Sequence, residues 1–517
     1  MSSITQQGAL NTTALVVPDL YVQIVPPSVL SLNGVPTNVV GVVGTASWGP
    51  VNQPTICSTM ADYASQFGAI QARKYDAGTQ VATAVQQGAS NFRIVRVTDG
   101  TDTAATGAGP TGCISFTARY TGSLGNSITV TLSAGSKANT WRAIVGLPGV
   151  ASEVFDNIAG TGAAFWTALA AAINNGTGVL RAASTLVIAT PAATPAATAP
   201  AAGTYSLAGG TDGASGVTAA SLVGQDALPR TGMYALRGQH CAIGLLADAD
   251  DSTQWTNQAN FGLAEGVYMI ATGPSGDTIA NAVAAKAAAG LDSYAVKLMF
   301  GDWLYWNDQT NATTRLVSPQ GFAAGILANL SPEQSSLNKE LYSIVGSQKS
   351  TLNANIVTSY SAAELQTLFQ AGIDVICNPA PGGSYWAVRC GHNASSNAAV
   401  NGDNYTRMTN YLAATMASGM GKYVGQVINA GLLANIRSTL LSFLGNMLGQ
   451  GQLGSVDGST PYAVVCDKSN NPLSRTGMGY VQADVQVQYM GINEKFIVNL
   501  QGGQAVTVSN ASQQSAA

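Results

Sequence analysis

The chain has 517 residues, of which 46% are apolar and only 9% charged, with a formal net charge of −4. That length suits about three or four domains, and the charge content is far below the ordinary value of about 25%. Its 22 Lys and Arg are dispersed, with none before Arg73, so no nucleic-acid partner is expected, because phosphate binding needs clustered basic charge. A polar but uncharged surface of this kind suits a subunit covered by partners in a large assembly. The N-terminus, Met1-Ser2-Ser3-Ile4-Thr5-Gln6-Gln7, has no basic stretch and no apolar run, so no secretion signal is expected. No apolar run approaches the roughly 18 residues of a membrane span, so neither membrane insertion nor assembly outside a cytoplasm is expected.

The first 61 residues carry a single charge, Asp19, and hold the apolar strip Leu20-Tyr21-Val22-Gln23-Ile24-Val25. The last 22 carry none and hold Phe496-Ile497-Val498-Asn499-Leu500 and Ala505-Val506-Thr507-Val508. Uncharged segments of high β-propensity are an aggregation hazard unless they pair. The expected partner is another copy of the chain. Leu20, Tyr21, Val22, Ile24, Phe496, Val498, Leu500, Val506 and Val508 are the candidate exchange residues.

Between these arms, residues 38–44 read as a strand buried on both faces. Helices are expected at 59–67 and 79–87, and a strand at 92–97. Residues 101–112 read as a Thr/Ala/Gly linker. Strands at 114–120 and 128–132, a helix at 163–174 and an Ala-Pro loop at 191–203 follow. Strands at 241–246, 267–271 and 294–299 alternate with helices at 252–265 and 277–289, the latter with Asp277 as its N-cap. That alternation argues for a largely parallel sheet. Ser331-Pro332-Glu333-Gln334 and Ser361-Ala362-Ala363-Glu364 match capping boxes, and further strands are expected at 373–377 and 385–389. The last region reads as helices at 403–419 and 424–448, then strands at 462–466 and 481–489. In the last of these, Val485, Val487 and Tyr489 alternate with polar residues, as in a half-exposed acceptor strand.

The expected fold class is therefore multidomain α/β. Residues 26–100 and 216–390 form an α/β core, 101–215 an inserted β-rich protruding lobe and 391–494 an α+β C-terminal domain. Residues 1–25 and 495–517 are extended arms. Turns at Gly34-Val35-Pro36 and Gly491-Ile492-Asn493 are expected hinges between arms and bodies.

Catalytic chemistry finds little support. Gly449-Gln450-Gly451-Gln452-Leu453-Gly454 fits GxGxxG but follows a helix, which is wrong for a dinucleotide site. There are two histidines, His240 and His392, and no GxSxG elbow. Asp248, Asp250 and Asp251 lack EF-hand spacing. Trp303, Trp306 and Trp386 suit a core or an interface. The six cysteines include no CxxC pair, so no metal site and no cofactor is expected. Reduced thiols are the simpler expectation. The alternative is that Cys57, Cys113, Cys390 and Cys466, near loops or strand ends, cross-link neighbouring subunits.

The order of several short motifs resembles phage contractile-tail sheath proteins. They are Leu20-Tyr21-Val22; the run from Thr37 through Gly44 to Trp48-Gly49-Pro50; Asp62-Tyr63 with Phe67-Gly68; Tyr120-Thr121-Gly122-Ser123-Leu124-Gly125-Asn126; Leu207-Ala208-Gly209-Gly210-Thr211-Asp212-Gly213; Val317-Ser318-Pro319-Gln320-Gly321; and the end of the chain. The resemblance implies a subtilisin-like core domain, here without credible catalytic residues. It also implies a non-enzymatic subunit of hexameric rings stacked around a tail tube. Such rings contract to drive the tube through the host envelope during genome delivery. Implied partners are further copies of the chain, the tail tube, the baseplate and the tail terminator, in the tail of a virion. Arg407, Lys422 and Arg437 are the tube-contact candidates. The alternative is another self-assembling protein, such as a surface-layer or shell component.

Overall fold

A computed structural model describes residues 3–5, 21–23, 32–178, 181–349 and 359–504, the first two segments by their backbone. Leu20, Ile24, Val506 and Val508 lie outside the described residues.

Five parallel strands form the centre, in the order Val296–Met299, Tyr268–Thr272, Ile243–Leu246, Val40–Gly44 and Phe92–Arg96, with Thr55–Cys57 antiparallel at one edge. Val40 lies opposite both Ile243 and Phe92. This sheet is covered on both faces, which is why its strands are apolar throughout and not alternating. On one face Val40, Val42, Phe92, Ile94, Leu245 and Ile270 pack with Phe322 and Leu327. On the other, Val43, Val95, Leu246, Met269 and Leu298 pack with Trp255, Phe261 and Leu368.

The two helices on the first face touch backbone to backbone. A Cβ on Gly325 of helix Gln320–Asn329 would lie 2.6 Å from the Ala84 carbonyl oxygen of helix Ala77–Gln86. One at Gly321 would lie 2.0 Å from Thr83 Oγ1. The spacing of four places both glycines on one face, so this contact is written into the Gly321-to-Gly325 segment.

Residues 104–206 form two small sheets. Their strands run Glu153–Ile158, Trp141–Gly146, Thr129–Ala134, Gly203–Ser206 and Val187–Pro191, Ile114–Thr121, Ala104–Ala108. Helix Gly162–Asn175 fills their core with Phe165, Trp166, Leu169 and Ile173. Arg96, wholly buried, ties these sheets to the centre by donating to the carbonyls of Gly49, Thr121 and Asp212.

Three local expectations are corrected, and one element is new. Residues 101–112 are not a linker, since Ala104–Ala108 pairs with Ile114–Thr121; small residues serve there because the strand is an edge. Helix Ile279–Ala288 is capped by Thr278, whose hydroxyl accepts from Asn281 N, and not by Asp277. The Ser331 box starts no helix: Ser331 and Glu333 bond each other across a turn. The hairpin Leu304–Asp308 with Thr313–Val317 went unforeseen. The Ser361 box, by contrast, caps helix Ala362–Gln370 with both reciprocal bonds present.

Candidate strand-exchange site

Near the C-terminus, helices Asp403–Met420 and Ala430–Gly449 pack beside the antiparallel hairpin Tyr462–Val465 with Asp484–Val487. Leu412, Leu432, Ile436, Leu440, Phe443 and Leu444 form their core, with Val485, Val487 and Tyr489 half-buried against it. Val464 faces Val485 and Tyr462 faces Val487. This sheet has two strands, so each outer edge pairs with no strand among the described residues. A two-stranded ribbon alone is marginal. Beside Val485 and Val487 runs an open groove of about 730 Å³, walled by Tyr405, Leu412, Ala413 and Met416 of the first helix.

The described part of the C-terminal arm has the exposure of an unpaired donor. Phe496, Ile497, Val498 and Leu500 are 82%, 79%, 69% and 90% exposed, and residues 491–502 form no regular element. In the N-terminal arm, Tyr21–Gln23 pairs in parallel with Ser3–Thr5 of the same chain, Val22 opposite Ile4. That pairing uses one edge of Tyr21–Gln23; the other pairs with nothing among the described residues.

The proposed hinges differ. Gly491 has open space around its Cα, whereas Gly34 is seated: a Cβ there would lie 2.0 Å from the Tyr411 hydroxyl. The N-terminal arm is thus clamped at Gly34, where a hinge is expected, and Leu32 beside it is buried.

Of the three cations expected at a tube, Arg407 is committed inside the subunit. Arg407 is 5% exposed and donates to the carbonyls of Leu330 and Ser331 at 2.7 and 2.8 Å. Burial lowers its pKa to about 10. Arg437 Nε donates to the Val464 carbonyl at 3.2 Å, bracing the hairpin. Lys422 is half-buried with its ammonium over the Tyr423 ring.

For the cysteines, burial disfavours the cross-linking alternative. Cys57, Cys113 and Cys466 are each 1% exposed, and Cys390 is half-buried. Burial pushes the Cys57 thiol up to about 12, far from the thiolate that exchange requires. Purified assemblies are expected to migrate identically on reducing and non-reducing gels; a reductant-sensitive dimer band would contradict this.

The place where an open α/β sheet usually binds ligands lies beyond the carboxyl ends of the strands where their order reverses, here Val40–Gly44 and Ile243–Leu246. It is filled by side chains. Gln80 Nε2 donates to Asp248 Oδ1 and Ser318 Oγ at 2.8 and 3.0 Å. Asp248 N donates to Gln320 Oε1, whose amide donates to the Ile270 carbonyl. Asp76 beside them is fully buried; burial outweighs its bonds from Thr79 and raises its pKa to about 7. A raised carboxyl pKa means the folded state holds the proton more tightly. Its stability contribution therefore falls as pH rises from about 4, the unfolded value, to about 7. Asp76→Asn is expected to flatten that part of the pH dependence of the urea midpoint.

His392, considered as a catalytic residue, turns its ring nitrogens toward Glu494 at 2.7 Å and Asn401 at 3.4 Å. Among the described residues no group of three His, Cys, Asp or Glu is placed to hold a metal ion, and no helix is long and apolar enough to cross a membrane.

Neither a protein-family model nor a curated protein matches the sequence. Solved structures do. The sheath tail protein of Listeria innocua is similar at a TM-score of 0.60 and 14% identity, over 85% of this chain and 90% of that one. The sheath tail protein of Desulfitobacterium hafniense is similar at 0.56 and 16%, over 86% and 93%. The helical sheath of the anti-feeding prophage in its contracted state is similar at 0.55 and 11%, over 95% and 100%. The chain has the fold of contractile-tail sheath proteins. The same fold occurs in the sheath of an extracellular contractile injection system.

Proposed function

We propose that this protein is the sheath subunit of a phage contractile tail. Subunits form hexameric rings stacked around a tail tube between baseplate and terminator, assembled in the host cytoplasm. The rings contract to drive the tube through the host envelope. The observation that carries the reading is the likeness to a sheath over 95% of this chain and 100% of the other. Two edges on the terminal hairpin that pair with no strand among the described residues, and two charge-poor arms, support it further. Each arm adds a strand to a neighbour's hairpin, the β-augmentation mode. The edge of Asp484–Val487, beside a groove of mixed polar and apolar lining, is the acceptor for a donor such as Phe496-Ile497-Val498-Asn499-Leu500. A contact repeated head to tail without closing generates a helical stack.

Expression of the full chain followed by electron microscopy tests this. Striated tubes with six-fold end views are expected, and monodisperse single subunits would refute it. Flat arrays would instead indicate a surface-layer protein. Particles of the parent assembly that carry packaged genome separate a phage tail from an injection system.

A further inference from the structure

One helix, Asp403–Met420, touches everything that the sheath reading requires to move together. It has 18 residues, a rod about 27 Å long. Its first turns are fastened to the central sheet by a buried charge triad. Lys297, on strand Val296–Met299, is 0% exposed, and its ammonium meets Asp374 Oδ2 at 2.6 Å, Asp403 Oδ1 at 3.1 Å and the His392 carbonyl at 3.1 Å. Those three acceptors match its three protons.

The carboxylates are satisfied in turn. Asp374 accepts from the amides of Val375, Cys390 and Gly391. Asp403 accepts from the Tyr268 hydroxyl at 2.6 Å and from the amide and hydroxyl of Ser336. One turn on, Arg407 grips the Leu330 and Ser331 carbonyls, and Thr406 Oγ1 donates to the Tyr294 carbonyl at 2.7 Å.

The same helix carries both arm roots. Asn404 Nδ2 donates to the Met490 carbonyl at 2.9 Å, and Thr409 bonds the Tyr489 hydroxyl at 3.1 Å. Val35 N donates to Thr415 Oγ1 at 3.2 Å, and Gly34 lies against Tyr411. Leu32 fills the space that Gly419 leaves: a Cβ at Gly419 would lie 1.7 Å from Leu32 Cδ1.

We infer that helix Asp403–Met420 is a rigid linkage that makes the α/β core and both arm roots one moving body, with Lys297, Asp374 and Asp403 as its positioning residues. This rests on the sheath reading for its purpose but not for its geometry. Burial disfavours the Lys297 ammonium, and the two carboxylates outweigh that, so it stays charged. A buried pair of this kind adds little stability over an apolar one. What it supplies is a fixed angle between core and arms, so that rotation of the body reaches the neighbour's hairpin without loss in a soft joint.

The test is hydrogen exchange on the full-length subunit, read together with electron microscopy of its polymers. Asp403→Ala leaves Lys297 paired one-to-one with Asp374 and leaves Arg407 on the Leu330 and Ser331 carbonyls. Amides of residues 403–420 should then exchange about tenfold faster or more, while the six-stranded sheet keeps its protection. Tubes should be absent or show an irregular axial repeat. Should that variant fail to fold, Asp403→Asn keeps the side-chain shape and gives the same readout. Gly419→Val, at the far end, should speed exchange only at residues 32–36 and disturb the axial repeat. Wild-type exchange along the helix in Asp403→Ala, or tubes with the normal repeat, would overturn the inference. If the wild-type chain forms no tubes, the sheath reading fails, and the exchange measurement on the subunit still decides the linkage.

Discussion

Removal of residues 495–517 is expected to abolish polymerisation while leaving the subunit folded. Phe496, Ile497, Val498 and Leu500 are nearly bare, so within one chain their loss removes almost no packing. In the polymer, burying four such side chains contributes about 1.5–3 kcal/mol each. Four or five backbone hydrogen bonds add about 0.5–1.5 kcal/mol each. Against this stands about 1–2 kcal/mol per residue for ordering the strand. The surplus per arm is a few kcal/mol, enough to decide assembly when every subunit makes the contact and none compensates. The melting temperature of the truncated monomer should match that of the intact monomer, and micrographs should show no tubes. Removal of residues 1–25 is expected to act in the same way, because the clamp at Leu32 and Gly34 stays in place. Normal tubes from both truncations would end the strand-exchange account.

Gly325→Val is expected to cost more than about 3 kcal/mol, above the usual overpacking penalty, and to leave most of the chain insoluble. The atoms in the way are the Ala84 carbonyl oxygen at 2.6 Å and Ala84 Cα at 2.7 Å. Backbone in the middle of a buried helix cannot turn aside as a side-chain tip can. The whole helix would have to lift from Ala77–Gln86, opening the packing around Phe322 and Leu327. Gly449→Ala, at a glycine with nothing within 4 Å, serves as the control and should shift the urea midpoint little. A Gly325→Val chain that melts like the wild type would refute the close helix contact.

The parts of this fold that were legible in the sequence share a physical cause. Val40–Gly44, Ile243–Leu246 and Tyr268–Thr272 are buried on both faces, so burial alone dictates an unbroken apolar run. Thr59 with Asp62 and Ser361 with Glu364 close local hydrogen-bond loops that need no distant residue. Ser331 and Glu333 show the limit of such signals. The same side chains found each other there, but the residues after them are drawn to Asp403 through Ser336 and never wind into a helix. Ala104–Ala108 was missed because an edge strand of small residues is made by its neighbour, not by its own propensity.

The candidate site divides in the same way. The charge-poor, β-prone arms and the alternation of Val485, Val487 and Tyr489 are properties of short segments, so the sequence alone was reason to expect donor strands at the ends and determined a half-exposed strand at Asp484–Val487. It also determined the strand–helix alternation, which local burial periods and caps impose. Only the tertiary structure decided that Arg407 is spent inside the subunit, that Cys57, Cys113 and Cys466 are buried, and that Gly34 is a clamp. It also decided that Lys297, Asp374 and Asp403 meet. Each is a single residue in a segment far from its partners, and nothing in its own neighbourhood distinguishes a solvated charge from a buried one. That distinction is made by which distant surfaces come together when the sheet, its helices and the terminal hairpin pack.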